Sequence, residues 1–237
     1  MKHDDRSQPG ETRTISPGRI AKLVLGAIGA TAMIGLAAEA IQTAAEYERL
    51  VHDPIFDGER VAHGDGHPVI VIPGFLGNDG YLNTLREWLG RIDYAPVRSE
   101  MGRNTGFTEK LIAQLEQHAI TVAQDSGKSV SIIGHSLGGI YARAIARRNP
   151  ETVRQIITMG SPLRLDAGPA AVPFTAIYSR GDRIVRYPRA LATEPDAKNV
   201  EAGGCHVGMA FNAAVYRAIA EALGASTVAS ETSQSIA

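Results

Sequence analysis

The residues best suited to covalent chemistry lie in Gly134-His-Ser-Leu-Gly138, which follows the apolar run Val130–Ile133 and precedes a helical pattern over Ile140–Arg148. A strand, a G-x-S-x-G turn and a helix together make a turn so tight that the flanking positions must lack a Cβ. Such a turn lifts Ser136 above the carboxyl edge of a sheet, and the next helix aims its positive end at the serine. That is the setting of a nucleophile for acyl transfer. A purely structural glycine-rich turn is the plainer alternative, but the strand before and the helix after favour the nucleophile. A serine hydroxyl needs a base, and the base needs an orienting acid. In proteins built this way the chain order is Ser, then Asp or Glu, then His. His206 is the sole histidine after Ser136 and lies in the loop Gly203-Gly-Cys-His-Val-Gly208, so it is the expected base. His135 directly precedes the serine; its side chain should point away and is expected to be packed or hydrogen-bonded. Asp182, at the end of Ile177-Tyr-Ser-Arg-Gly-Asp, is the expected acid, with Asp166, Glu194, Asp196 and Glu201 as rivals and Asp166 the best of them. The alternative for Asp182 is a solvated turn aspartate paired with Arg183 or Arg186. A tetrahedral oxyanion needs two N–H donors. Leu137, after the serine, supplies one; Phe75 in Ile72-Pro-Gly-Phe-Leu-Gly77 supplies the other, with Leu76 as fallback.

Positioning these groups takes a parallel sheet. The runs Val69–Ile72, Ala95–Arg98, Val130–Ile133, Gln155–Met159 and Phe174–Tyr178 are short and rich in β-branched residues, the mark of strands buried on both faces. Asn199-Val200 offers a last short strand. Helical patterns over about 80–90, 108–126 and 137–149 alternate with the strands, so helices cover both faces through right-handed crossovers. A final helix spans Ala210–Leu223, with Phe211, Val215, Ile219 and Leu223 along one face. The expected fold class is therefore α/β, a reduced and mostly parallel sheet of about six strands.

The expected organisation of the 237 residues is a polar tail (1–19), an apolar helical segment (20–51), a linker (52–65) broken by Asp53-Pro54, Asp57-Gly58 and Gly64-Asp65-Gly66, a catalytic domain (66–223) and a disordered tail (224–237). Leu23–Ala38 carries no charge. Five basic residues precede it against three acidic ones, and acidic residues dominate after it, the charge bias of an anchor with its N-terminus inside. Three readings stay open for residues 20–38: a membrane anchor that leaves the catalytic domain outside the cytoplasm, a signal peptide cleaved near Ala38-Glu39-Ala40, or a helix packed on the domain. A net charge of −1 gives no footprint for nucleic acid, and the single cysteine, Cys205, excludes an internal disulfide and a cysteine-based metal cluster.

Taken with their order and spacing, the segments GDGHPVIVIPGFLGND, GRN (Gly102–Asn104), GHSLGG, TMGSP, YSRGDRIV and GCHVGMAFN resemble the α/β-hydrolase superfamily, in its bacterial lipase and esterase branch, a group that includes relatives of the inositol deacylases acting on GPI anchors. The resemblance covers about two-thirds of the chain. It implies the α/β-hydrolase fold, with Ser136, Asp182 and His206 as nucleophile, acid and base, and with no metal or cofactor. Only about a dozen residues separate Ser161-Pro162 from Phe174, where many hydrolases insert a helical cap. No cap domain is expected, and Leu76, Leu163, Ile184, Val185 and Met209, with Phe75, should line an open apolar cleft. Arg103 or Asn104 is expected either to face substrate or to cap the next helix. Arg143, Arg147, Arg148 and Arg154 read as a solvated face. The expected activity is hydrolysis of a small-molecule or lipid carboxylic ester through an acyl-enzyme. An acyltransferase with the same triad and a non-catalytic scaffold are the alternatives.

Overall fold

The computed structural model describes residues 32–165 and 168–234, apart from the side chains of 32–36 and 225–234. Six strands form one sheet: β1 (Pro68–Ile72), β2 (Ala95–Arg98), β3 (Val130–His135), β4 (Val153–Met159), β5 (Phe174–Tyr178) and β6 (Lys198–Glu201). All neighbours are parallel, and the order is β2-β1-β3-β4-β5-β6. The sheet therefore reverses its direction of growth between β1 and β3, and the crevice at that point opens at the carboxyl ends of the two strands.

The period of two along each strand sorts its side chains between two cores. Val69, Val71, Ile133, Ile157 and Ile177 face one core, shared with α2 (Asn83–Arg91) and α6 (Ala213–Gln234). Ile70, Ile72, Ile132, Ile156 and Ala176 face the other, shared with α3 (Glu109–Ser126) and α4 (Leu137–Arg148). Thr108 caps α3 by accepting from the Leu111 N–H, and Gly127 ends it in a left-handed conformation. α4 is buried over Leu137–Ala146. Arg143 shares that burial at 2% exposure, where its guanidinium donates to the Leu163 carbonyl and pairs with Glu194. It is thus not on the solvated face expected for it. A buried guanidinium stays only where such acceptors meet it. The bond to Leu163 ties α4 to the short Leu163–Leu165 3-10 turn, in the stretch where a cap would otherwise arise.

At the termini the structure bears on three expectations. α1 (Ala32–Val51) lies against the domain, and among the described residues no helix is long and apolar enough to cross a membrane. Residues 20–31 of the expected anchor lie outside the described residues. The segment 52–65 is packed rather than a free linker: Asp53 caps a 3-10 turn over Pro54–Asp57, Ile55 is buried, and the Trp88 indole donates to the Ile55 carbonyl at 2.7 Å. The proline and glycine pairs read as breakers there act as caps. The final helix begins at Ala213 and runs to Gln234, past Gly224, where a disordered tail was expected; the segment contains no proline to stop it.

Trp88 is fully buried, and its ring meets that of Tyr216 at 4.6 Å. Replacing it with alanine opens a large cavity and removes the indole's bond to the Ile55 carbonyl. Trp88→Ala should lower the unfolding free energy in urea by about 3–5 kcal/mol.

Candidate active site

The register sets the carboxyl ends of the central strands level with one another. Ile72 lies beside Gly134, His135 beside Met159, Met159 beside Ile177, and Tyr178 beside Glu201. Loops 73–77, 136–137, 160–162, 179–185 and 202–207 therefore emerge along one edge. Ser136 has φ 51° and ψ −121°, a conformation that costs energy for a residue with a Cβ. The surroundings enforce it. The Ser136 N–H donates to the Met159 carbonyl at 2.8 Å, and a Cβ on Gly138 would overlap the Ile72 carbonyl oxygen. Ser136 is half-buried.

Asp182 and His206, the residues expected as acid and base, lie in contact. His206 Nδ1 lies 2.7 Å from Asp182 Oδ2, and both side chains are buried. The other oxygen, Asp182 Oδ1, accepts from the N–H groups of Ile184 and Val185, so this carboxylate is neither solvated nor paired with Arg183 or Arg186. Gly160 lies under the pair: a Cβ there would come within 3.0 Å of Asp182 Oδ2 and 3.2 Å of His206 Nδ1. Because Ser136 bonds to Met159 and Gly160 follows Met159, serine, imidazole and carboxylate share one corner of the edge. Ser136 Oγ makes no hydrogen bond among the described residues; such contacts are often long without substrate and tighten when it binds. Of the rival acids, Glu194 is committed to Arg143, Glu201 to Arg180 and Tyr178, Asp196 is exposed, and Asp166 lies outside the described residues.

Gly74 packs on the serine, where a Cβ would sit 2.9 Å from Ser136 Cβ. This brings the 73–77 loop to Ser136. The Leu76 N–H donates to the Asn104 carbonyl at 2.6 Å and is spent, whereas the N–H groups of Phe75 and Leu137 meet no acceptor among the described residues. Asn104 organises the loop from beneath. It is fully buried, its amide donates to the Pro73 carbonyl at 2.9 Å, and its own N–H donates to Gly77 at 2.8 Å. It neither faces open solvent nor caps the next helix, since Thr108 does that. Of the expected lining residues, Leu76 and Ile184 are exposed and Phe75 is half-buried, while Leu163, Val185 and Met209 are buried in the interior.

His135 is the packed, hydrogen-bonded residue expected. Its Nε2 donates to the His206 carbonyl at 2.9 Å, and burial pushes its pKa down to about 3. It thus grips the main chain of the residue placed to act as base. Tyr81 and Ser179 add grips on the same loop: Tyr81 OH donates to the Val207 carbonyl and Ser179 Oγ to the Gly204 carbonyl. These supports left no motif in the sequence, because each is a single polar residue whose partner is a distant backbone group.

Residues 68–225 match the palmitoyl protein thioesterase family. A triacylglycerol lipase of Pseudarthrobacter phenanthrenivorans is 30% identical over 111 residues, covering 41% of this chain and 34% of that protein. A triacylglycerol lipase of Burkholderia plantarii is also 30% identical over 111 residues, covering 41% and 30%. The chain thus spans about a third of the length of these curated relatives. A monoacylglycerol lipase structure from Paleococcus ferrophilus superposes with a TM-score of 0.54 at 13% identity, over 70% of this chain and 97% of that one, which is a likeness of fold.

His135 and His67, the latter held at about 4 chiefly by burial, take up protons only on unfolding when the pH lies between those values and about 6.5. Stability should be complete above pH 6.5 and fall as the pH drops below it, by an order of 1–2 kcal/mol per histidine near pH 5, in urea titrations at both pH values. Asn104→Ala should lower kcat on an ester by about 10–100-fold with little change in KM, because it frees the loop carrying the Phe75 N–H.

Proposed function

The chain belongs to the palmitoyl protein thioesterase family and has the α/β-hydrolase fold, and from that premise we propose that it is a serine hydrolase of acyl esters working through an acyl-enzyme. The observation that carries this reading is the buried Asp182–His206 pair at the strand-end corner that also holds the Ser136 turn. In the proposed mechanism Ser136 Oγ attacks the acyl carbonyl and gives its proton to His206 Nε2. Asp182 holds the Nδ1–H, fixing the tautomer and stabilising the imidazolium. The Phe75 and Leu137 N–H groups, which meet no acceptor among the described residues, receive the oxyanion. His206 then protonates the leaving group, and a water molecule activated by the same imidazole releases the acid.

The apolar surface of Leu76 and Ile184 beside the site supports a substrate with an acyl chain, a lipid ester among them. The family match supports a thioester as a second reading of the leaving group. The same oxyanion forms in either case, so the triad does not discriminate between them. Membrane association through residues 20–38 is proposed on the charge bias of the sequence alone.

The test is turnover of p-nitrophenyl esters of graded chain length beside an acyl thioester read by thiol release, with the full chain and Ser136→Ala. Both activities should fall by about 10⁴-fold or more in the variant. Turnover unaffected by the substitution, or a full chain that neither turns over any acyl substrate nor reacts with a fluorophosphonate, would reject the proposal.

A further inference from the structure

His206 sits in a loop that glycine makes intrinsically loose: Gly203 and Gly204 precede Cys205, and Gly208 follows Val207. A base that must hold its imidazole between an acid and a serine cannot ride on a loop free to move. His135, Tyr81 and Ser179 hold three carbonyls of the loop. The N–H groups are held from elsewhere. Glu39 Oε1 accepts from the Val207 N–H at 2.6 Å, and Glu46 Oε1 accepts from the Cys205 N–H at 2.8 Å. The residues immediately before and after His206 are thus each bonded to a carboxylate, and both carboxylates come from α1.

The spacing explains how one helix reaches both. Residues 39 and 46 are two turns apart, on one face of α1, and Thr43 lies between them on that face, its Oγ1 3.5 Å from Cys205 Sγ. Glu39 and Glu46 are 6% and 3% exposed. A carboxylate is not buried without cost unless hydrogen bonds meet it. Glu46 Oε2 accepts in turn from the Asn212 amide at 2.6 Å. The loop is shaped to admit the helix: a Cβ on Gly204, whose φ is 113°, would come within 2.5 Å of Glu46 Oε2, and one on Gly208 within 2.7 Å of Oε1. Both glutamates lie ahead of residue 68, where the match to the family begins.

We propose that Glu39 and Glu46 are positioning residues for His206, so that α1 is a working part of the active site rather than only a spacer between the apolar N-terminal segment and the hydrolase domain. The proposal rests on the serine-hydrolase reading. Neither carboxylate touches the reacting atoms. They act by fixing the main chain on both sides of the imidazole, charge-assisted bonds being the stronger kind of support for an N–H.

The test uses the full chain with Glu39→Ala, Glu46→Ala and Glu39→Gln. Each alanine variant should lose about 10–100-fold in kcat on a p-nitrophenyl ester with KM changed less than about twofold, as expected for a slightly misplaced base. Glu39→Gln, whose amide oxygen still accepts from Val207, should recover most of the loss. Amide hydrogen exchange, which needs no turnover, should quicken at Val207 in Glu39→Ala and at Cys205 in Glu46→Ala while the sheet amides stay protected. An active parent whose folded alanine variants keep their kcat, or whose Val207 and Cys205 amides exchange no faster, would overturn the proposal and leave the hydrolase standing. A loss that glutamine does not rescue, with exchange quickened across the whole domain, would overturn it too, as general destabilisation. A parent inactive on every ester and unlabelled at Ser136 would instead sink the hydrolase reading on which the role depends.

Discussion

The close approach of α4 to the end of β1 is the constraint on which the site depends. Gly138 faces the Ile72 carbonyl with no room for a side chain, and Gly74 faces Ser136 in the same way. Those contacts hold the Ser136 backbone at its positive φ and bring the loop that carries Phe75 against the turn that carries Leu137. The energy of the strained serine is met by the surroundings. Its N–H is bonded to Met159, and ten consecutive residues of the helix after it are buried. A turn held this firmly presents its donors already aimed, which is where electrostatic catalysis gains most.

Around that corner the protein builds a polar network with few solvated members. Asp182 takes two backbone N–H groups on one oxygen and the imidazole on the other. His135, next to Ser136, is kept neutral by burial and serves as a donor to the main chain of His206. Two adjacent histidine rings 4.9 Å apart could not both be charged in such a place without repulsion. Burial assigns them different work: one holds a carbonyl, and the other is bonded to the carboxylate.

The segments outside the sheet share in this arrangement. α1 covers the loop that carries His206, and the turn at Pro54–Asp57 receives the Trp88 indole. A domain boundary at residue 66 therefore cuts through packed structure. The same holds at the other end of the fold, where α6 continues beyond Leu223. Short apolar runs announce strands, but a helix with alanines on one face and glutamates on the same face looks alike whether it meets lipid, solvent or a buried backbone.

By itself the sequence determined the class of the fold, the strand runs nearly to the residue, and that Asp182 and His206 would meet near the Ser136 turn, because each rests on a local pattern: β-branched runs, a glycine-bracketed serine, one histidine late in the chain. Only the tertiary structure decided which N–H near Phe75 is free, that Asn104 lies under the loop, that Arg143 is inside, that Leu163, Val185 and Met209 are covered, and that Glu39 and Glu46 reach across to residues 207 and 205. The physical reason is the same in each case. A contact between groups apart in the chain, from 31 positions for Asn104 and Pro73 to 168 for Glu39 and Val207, leaves no periodicity and no motif, and it exists only once the fold has brought the segments together.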